Sequence, residues 1–303
     1  MKHSIERNNK IKATGSHAFR KEMIAVLLLL PALVSILLFK YFPMLLGFFE
    51  TFFQMNIIRL PGKFIGFDNY IRALTDSQFL GAFFHNVKAF CYSLIMNFWV
   101  PILLAMLIDE VRGGKTAFRL AYFIPACAPM IAMTVLWKYF WQPDYGLANY
   151  LMTTIGISEQ MWLNDPRLVY FCIHFPGLVI GGGMNMVIYL AALQDVPREL
   201  YEAAFVDGVG VFNRIRYITL PCIKSTIVLL LSLSLINAFN LMENIMVLTG
   251  GGPANSTQTM LLYAYQQATN SMDYSYAMTM ATIIFAITMT LTVVFNRITR
   301  EKE

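Results

Sequence analysis

The chain has 303 residues, of which 57% are hydrophobic and 14% are charged, and its mean hydropathy is +0.55. Charged residues make up about 25% of an ordinary soluble protein, so this composition excludes a typical soluble surface and favours a protein that lies in a bilayer. The formal net charge of +5 is explained by basic segments that lie between apolar ones, and it requires no nucleic-acid partner.

Six apolar segments approach the length of about 20 residues that a helix needs to cross about 30 Å of hydrocarbon. Unsatisfied backbone groups are too costly in lipid, so each segment is predicted to be a transmembrane helix. The predicted fold class is therefore all-α: a polytopic integral membrane protein with one transmembrane domain over residues 23–303, preceded by a polar tail over residues 1–22. The predicted spans are residues 23–46, 87–108, 120–140, 168–193, 222–248 and 274–295.

The distribution of Lys and Arg predicts the orientation of these spans. Most of the 23 basic residues lie in segments that share a side of the membrane with the N-terminus. By the positive-inside rule, both termini are expected in the cytoplasm of a multi-pass protein of the cell membrane. The first apolar segment is longer than the core of a signal peptide and has no clear cleavage site, so we expect an uncleaved span.

Local signals predict helix boundaries in the external segments, and prolines predict kinks in the spans. Asp68, and either Asp76 or Ser77, are predicted to cap short amphipathic helices, and Ser256 or Thr257 is predicted to cap another after a Gly-Gly-Gly-Pro turn. The prolines within the spans are expected to kink the helices without ending them. They are Pro31, Pro43, Pro101, Pro125, Pro129 and Pro176.

The sequence contains no motif that is typical of an enzyme or of a metal site. His85 and His174 are far apart, and the four cysteines are not spaced as metal ligands. Gly114-Lys115-Thr116 resembles the end of a phosphate-binding loop, but the full motif requires glycine at position 109, where this chain has Asp109. We therefore expect no catalytic residue, no metal and no cofactor in this chain.

Between the fourth and fifth spans, residues 199–221 read ELYEAAFVDGVGVFNRIRYITLP. The pattern predicts a helix that breaks at Asp207-Gly208, then a second short helix, with Pro221 in the first turn of span five. An amphipathic helix on the lipid surface is one reading. The paired alanines would insert weakly into lipid, and they favour a surface that another protein approaches closely.

This stretch resembles the cytoplasmic loop motif of permease subunits of binding-protein-dependent ABC importers: E-A-A, three residues, Gly, nine residues, I-x-L-P. The positions in register are Glu202, Ala203, Ala204, Gly208, Ile218, Leu220 and Pro221, with Asp207 as is frequent in the sugar branch. Residues 248–268 are similar to the segment after span five of maltose-type and glycerol-phosphate-type permeases. The resemblance covers nearly the whole chain.

The resemblance implies the type I ABC importer permease fold. It implies half of the pathway for a sugar or oligosaccharide that an extracellular solute-binding protein delivers. Further partners would be a second permease subunit and two ATPase subunits, which would hold ATP and Mg and carry out the hydrolysis. The residues implied to couple to the ATPase lie in the loop over residues 194–221, and they are Glu202, Ala203, Ala204, Asp207, Gly208, Leu220 and Pro221.

Polar residues within spans four and five are candidates for the substrate pathway, because intramembrane polar groups usually face a cavity or a bundle interior. The alternative role for each is hydrogen bonding between helices. The candidates are Asn185, Tyr189, Asn237, Asn240, Glu243 and Asn244. Similar permeases often have Phe-Asp at the position of Met242-Glu243 in this chain. This difference leaves the identity of the substrate open.

Two other classes of membrane protein are weighed against the importer. An ion-coupled secondary transporter of a small polar solute would require paired charges in midspan, and only Glu243 offers one, with no visible inverted repeat. A membrane scaffold or receptor would not require the E-A-A loop. Loss of uptake without an ATPase partner would support the importer.

Overall fold

The computed structural model describes residue 23 and residues 26–56, 59–111, 113–180 and 182–300. Helices α1 to α4 come first along the chain, and a hairpin separates α1 from α2. Helix α1 is Val26–Glu50 and contains a π-helical turn at Leu37–Tyr41. The strands and helices that follow are β1 (Phe53–Asn56), β2 (Arg59–Phe64), α2 (Asp68–Thr75), α3 (Ser77–Met96) and α4 (Trp99–Glu110).

The remaining helices include three pairs with sharp bends. They are α5 (Lys115–Ala126), α6 (Met130–Phe140), α7 (Leu147–Thr154), α8 (Val169–Ile180), α9 (Gly183–Gln194), α10 (Arg198–Val206), α11 (Val211–Cys222), α12 (Lys224–Phe239), α13 (Glu243–Leu248), α14 (Met260–Thr269) and α15 (Tyr274–Arg300). The bends measure 87° between α5 and α6, 48° between α8 and α9, and 72° between α11 and α12.

Within the described residues, three apolar helices are long enough to cross a membrane, and six spans result if each bent pair counts as one. The three are Val26–Glu50, Ser77–Glu110 and Tyr274–Phe295. The all-α fold class is confirmed, and the number of spans is compatible with the predicted six. The individual span boundaries stay predictions.

The helix that contains the start of the predicted span 87–108 begins at Ser77, where the Asp76 side chain accepts hydrogen bonds from Gln78 N and Phe79 N. Asp76 is therefore the cap, as one of the two alternatives predicted. Hydropathy misses the first turns because they include the polar residues Ser77, Gln78 and Asn86. Asn86 is fully buried, donates to the Ala238 carbonyl oxygen (2.7 Å) and accepts from Met260 N (2.9 Å).

Two other predicted caps are wrong. Asp68 is the first residue of α2 and Phe67 precedes it as the cap position, so the Asp68 carboxylate lies in the first helical turn. Helix α14 is capped by Thr259, whose hydroxyl accepts from Leu262 N. Thr257 lies two residues before this cap position, and its hydroxyl donates to the Gly252 carbonyl oxygen at 2.7 Å within the preceding turn.

Pro176 lies inside α8 and does not end it, as predicted, and Pro125 lies inside α5 one residue before its end. The prediction that prolines kink the spans without ending helices is wrong at Pro129, which occupies the cap position of α6 directly after the 87° break. Proline disfavours helical geometry in the residue before it, so the chain leaves the helix ahead of Pro129. The break separates α5 from α6 and opens space between them.

The antiparallel hairpin was not predicted. Phe53 pairs with Phe64 and Gln54 with Lys63, and a bulge follows. The rings of Phe53 and Phe64 lie 5.3 Å apart in an edge-to-face contact, which is a favourable cross-strand pair. Asn69 Nδ2 donates to the carbonyl oxygens of Thr51 and Phe53 and so fixes the hairpin to α2.

The buried core consists of separate clusters between packed helices. Much of the apolar side-chain surface lies on the outside of the molecule. One cluster joins α4, α9 and α12 through residues such as Ile102, Met186 and Leu230. A second joins α3, α12, α14 and α15. Within the described part of α1, Gly47 alone is buried, so most of this apolar helix is available to lipid or to another subunit.

Candidate functional site

A cavity of about 490 Å³ lies among the broken helices, with walls from α3, α4, α5, α6, α8, α9, α12 and α13. Four of the six candidate pathway residues line it: Asn185, Tyr189, Asn237 and Asn244. The structure therefore brings together polar residues that are up to 59 positions apart in the sequence. Asn240 and Glu243 are exposed and do not belong to the lining.

Further polar residues of the lining were missed at the sequence level. Ser93 and Asn97 come from the end of α3, Thr134 and Trp137 from α6, and His174 from α8. His174 has an apolar sequence context, which favoured a buried core histidine, and it is indeed only 7% exposed. These residues come from three different helices, so no single periodic pattern in the sequence marks them as one group.

Four lining side chains carry a buried polar atom that has no hydrogen-bond partner among the described residues. These atoms are Asn97 Oδ1, Trp137 Nε1, His174 Nε2 and Tyr189 Oη. Buried polar atoms in proteins are nearly always paired, so each unpaired one requires an explanation. Each of the four atoms is almost inaccessible, so the wall of the cavity contains unmet hydrogen-bonding capacity behind its surface.

The unpaired groups are held in place by their neighbours. Asn97 Nδ2 lies 3.4 Å from His174 Nδ1, and the His174 ring stacks on Tyr92 with an interplanar angle of 17°. On the opposite wall, Thr134 Oγ1 donates to Asn244 Oδ1 at 2.8 Å and joins α6 to α13. The side chains of the cavity wall are thus fixed by contacts with one another, while some of their polar atoms have no hydrogen-bond partner.

Glycines in α8 and α9 give the cavity its shape. A Cβ at Gly177 would lie 2.8 Å from Asn97 Cγ, so only glycine leaves room for the Asn97 side chain. Gly182 has a φ of +58°, a left-handed conformation that suits glycine, and it begins α9 after the bend. Gly177 and Gly182 both line the cavity.

The E-A-A loop forms two helices that are joined by a sharp turn. Helix α10 ends at Val206, Gly208 has a φ of +69°, and α11 begins at Val211. The Gly208 and Val209 N–H groups donate to the carbonyl oxygens of Phe205 and Ala204, which closes the end of α10. The predicted break at Asp207-Gly208 is confirmed.

The loop has an anchored side and an exposed side. Tyr201 Oη lies 2.9 Å from Thr219 Oγ1, and Ala204 is only 6% exposed. Phe205 is 76% exposed and Phe212 is 74% exposed. Tyr201 packs inward against the core, whereas Phe205, one helical turn later, does not.

The other loop residues divide in the same way. Glu202, Ala203 and Asp207 are exposed, whereas Leu220 is half-buried. Pro221 lies in the short segment Leu220–Cys222 that ends α11, directly before the bend to α12. The chain then bends at the buried Ile223 and continues as α12, so the loop is joined to α12 without a flexible linker.

Comparison with known proteins identifies the family. Residues 21–300 match the family described as binding-protein-dependent transport system inner membrane component. The chain is 31% identical to the sulfoquinovosyl glycerol transport system permease protein SmoG of Agrobacterium fabrum, covering 93% of this chain and 92% of SmoG. It is 29% identical to the trehalose/maltose transport system permease protein MalF of Thermococcus litoralis, covering 95% and 97% of the two chains.

The fold is similar to that of a solved bacterial ABC transporter involved in the import of the acidic polysaccharide alginate. The TM-score is 0.82 at 25% identity, and the match covers 94% of this chain and 98% of the other. The structure therefore has the predicted fold of an ABC importer permease. Since a family match spans nearly all of the sequence and a relative is 31% identical over 282 residues, the chain belongs to the inner membrane components of binding-protein-dependent transport systems.

Proposed function

We propose that this chain forms one half of the membrane pathway of an ATP-driven importer for a sugar or oligosaccharide. A second permease subunit would complete the pathway, and an extracellular solute-binding protein would deliver the substrate. The observation that carries the proposal is the polar cavity, whose amide, hydroxyl and aromatic side chains are the partners that sugar hydroxyls require. The relatives named for sulfoquinovosyl glycerol and for trehalose and maltose support it.

In this proposal, Asn185, Tyr189, Asn237 and Asn244 contact the substrate or order water around it. All four line the cavity, and Asn237 lies in α12, the helix that follows the E-A-A loop. Asn240 and Glu243 border the non-helical step between α12 and α13. They remain candidates for contact with substrate in another conformation of the pathway.

The exposed side of the E-A-A loop is proposed to dock in a cleft of an ATPase subunit on the cytoplasmic side, where both termini would also lie. Phe205 and Phe212 would fill the cleft, and exposed Glu202 would pair with a basic group. Ala203 is exposed and small enough for close approach, whereas Ala204 packs within this chain. Two ATPase subunits would bind ATP and Mg and carry out the hydrolysis.

Movement of the ATPase subunits would be transmitted to the pathway through the anchored side of the loop. The Tyr201–Thr219 contact joins α10 to α11, and Leu220 and Pro221 lead to buried Ile223 at the 72° bend. Packed side chains move as a unit because interiors are dense and have little free volume. A displacement of α10 would therefore move α12, which carries Asn237 into the cavity wall.

Reconstituted transport tests the proposal. Proteoliposomes that contain the permease pair and the ATPase subunits should accumulate a labelled saccharide only when ATP and the solute-binding protein are present. Uptake that follows a proton or sodium gradient in the absence of the ATPase would contradict the proposal and support an ion-coupled transporter. Unchanged uptake after removal of the binding protein would contradict the delivery step.

A further inference from the structure

We propose that the apolar face of α2, formed by Phe67, Ile71 and Leu74, rests in the headgroup region of the outer leaflet of the membrane and anchors this end of the protein to the lipid surface. Three properties of this face support a lipid contact. They are its exposure, its depth relative to the spans, and its continuity with the apolar surface of α1.

The apolar face of α2 points away from the rest of the chain. Ile71 N donates to the Phe67 carbonyl oxygen at 3.0 Å, so Phe67 belongs to the first turn. Each residue turns an α-helix by about 100°, so positions 67, 71 and 74 lie along one side. Their side chains are 66%, 60% and 58% exposed. The opposite side is packed against the protein, and it carries Asn69 and Ala73, which are buried.

A third, polar face of α2 separates the apolar face from the buried one. It carries Asp68, Arg72 and Thr75, all of which are exposed. A narrow apolar strip beside a charged strip is typical of a helix that lies in the plane of a membrane interface. Hydrocarbon all around the helix would leave the charges unsolvated, and water all around it would leave the apolar strip without cover.

The contacts of α2 place it at the level where membrane spans end. Asn69 Nδ2 donates to the carbonyl oxygen of Thr51, the residue that follows α1, at 2.9 Å. Arg72 Nη1 donates to Oδ2 of Asp273, the residue that precedes α15, at 2.7 Å. Asp76 alone separates α2 from α3. Helix α2 therefore lies beside the ends of three apolar helices, where hydrocarbon gives way to lipid headgroups.

Ring contacts connect the apolar face of α2 with the surface of α1. The Phe48 and Phe52 rings lie 5.8 Å apart, and the Phe52 and Phe67 rings lie 5.4 Å apart, both edge to face. Phe48 belongs to the last turn of α1 and is 49% exposed. One apolar surface thus extends from a span onto α2, as expected if the same lipid covers both.

Lipid fits this surface better than a protein partner does. A stable protein interface involves about 20–30 residues on each side, whereas the apolar face of α2 consists of three. The exposed charges of Asp68 and Arg72 lie directly beside it. The headgroup region accommodates both faces at once, because acyl chains cover the apolar strip while water and headgroups solvate the charges.

Attachment of α2 to lipid would also fix the ends of two spans. Asn69 joins α2 to the end of α1 through the Thr51 carbonyl group. Arg72 joins α2 to α15 through Asp273, and its guanidinium carbon lies 3.7 Å from the centre of the Tyr276 ring. A change in the depth of α2 would therefore change the depth or tilt of α1 and α15.

Photocross-linking tests the lipid contact in the intact importer, reconstituted with its solute-binding protein in nanodiscs of phosphatidylcholine and phosphatidylglycerol. The photoreactive amino acid p-benzoylphenylalanine replaces Ile71 in one variant and Leu74 in another. Both side chains are exposed, so the replacement does not disturb the core. Mass spectrometry of the cross-linked peptides shows whether lipid or protein is attached. We expect lipid adducts at both positions.

The same amino acid at Thr75 provides the matched control, because Thr75 is exposed on the polar face of the same helix. The lipid yield at positions 71 and 74 should be several times that at position 75. Phe39 in α1 and Phe285 in α15 are 82% and 64% exposed and serve as positive controls for lipid attachment.

Two substitutions of Ile71 provide an independent measurement. Tryptophan is favoured at membrane interfaces, so Ile71→Trp should leave the unfolding temperature of the complex in nanodiscs unchanged. Ile71→Asp places a charge against lipid and should lower it by about 2–4 °C. Against a packed protein surface, the larger tryptophan would also be destabilising.

Two results would overturn the proposed lipid contact. One is cross-linking of positions 71 and 74 to the second permease subunit or to the solute-binding protein in place of lipid. The other is a lipid yield no higher than at Thr75 while a positive control reacts. ATP-driven uptake is measured separately, so the importer function could hold while the lipid contact of α2 is wrong.

Discussion

Tyr201 Oη lies 2.9 Å from Thr219 Oγ1, and this contact closes the two-helix loop that precedes α12. Tyr201→Phe keeps the ring packing and removes the hydroxyl, and Thr219→Val does the same for its partner. Each should lower the free energy of unfolding by about 0.5–1.5 kcal/mol, the usual net value of one hydrogen bond. The double variant should be little worse than either single variant, since the same contact is lost.

The same variants test transmission through the loop. If α10 and α12 move together, loosening this contact should raise ATP hydrolysis relative to sugar uptake in proteoliposomes. A ratio identical to that of the unchanged protein, in spite of measurable destabilisation, would show that the contact is only structural.

Much of this loop could be predicted from its sequence, because its signals are local. The break at Gly208 follows from the conformational freedom of glycine. The split between an anchored Tyr201 and an exposed Phe205 could not be predicted, because both lie in one helix at helical spacing. It depends on Thr219, which reaches Tyr201 only when the chain folds back.

The cavity, in contrast to the loop, could be predicted from the sequence only in part. Asn237 and Asn244 were found because they interrupt an apolar span, which is a local signal. Trp137 and His174 were missed, because an indole or an imidazole in an apolar helix is equally typical of a packed core. The position of Trp137 depends on the 87° break before Met130, which turns α6 and which the sequence marks only by Pro129, whereas His174 lies in α8.

Gly208 is expected to be required in its left-handed conformation. Its φ is +69° and a Cβ there would meet no other atom within 4 Å, so strain in Gly208→Ala would come from the backbone alone. The expected loss is about 1–2 kcal/mol of unfolding free energy. Co-purification with the ATPase should fall as well, because the two loop helices change their relative orientation.

Gly210→Ala is the matched control for this substitution. Gly210 lies two residues away in extended backbone, with φ −65° and ψ 158°, and it also has open space around it. Alanine adopts that conformation without strain, so stability and ATPase binding should be retained. Equal losses for the two variants would contradict the assigned role of the Gly208 backbone.

Phe205 is expected to act through contact with another protein and not through the stability of this chain. Its side chain is 76% exposed, so Phe205→Ser should change the thermal unfolding of the isolated permease very little. Binding to the ATPase should weaken about tenfold or more, as is typical when an aromatic residue at an interface centre is removed. Affinity capture of the ATPase with purified subunits measures this.

Tyr150→Ser is the control for Phe205→Ser. Tyr150 is 68% exposed on α7, in a segment that was predicted to be external. It should affect ATPase binding much less than Phe205→Ser does. If Tyr150→Ser reduced capture equally, exposure of any aromatic residue would explain the effect, and the location of the docking surface would be wrong.

The Asp76 carboxylate joins three helices and makes the stability of this end of the protein depend on pH. Asp76 Oδ1 caps α3, while Oδ2 accepts from Tyr263 Oη and Tyr276 Oη, each at 2.8 Å. Burial by itself raises the pKa of Asp76, but the hydrogen bonds from Tyr276, Tyr263 and the backbone outweigh it and hold the pKa below its ordinary value of 3.8.

Because the pKa is lower in the folded state, this group stabilises the fold above pH 3.8, and the contribution is lost as the pH falls through the lowered value. At the alkaline end, burial and the bond to Asp76 raise the pKa of Tyr263 to about 12 from 10.0. Its contribution is complete below pH 10.0 and is lost as the pH rises through about 12.

Asp76→Asn retains a capping oxygen but removes the charge that strengthens the two tyrosine bonds. At neutral pH it should lower the free energy of unfolding by about 1 kcal/mol, a modest value because the site is partly exposed to solvent. The difference from the unchanged protein should shrink as the pH falls below about 4, where Asp76 also becomes neutral. Asp76→Ala also loses the cap and should remain less stable than Asp76→Asn at every pH. Thermal unfolding from neutral pH to about pH 3 tests this, and a constant Asp76→Asn difference across the range would exclude the carboxylate charge as the cause.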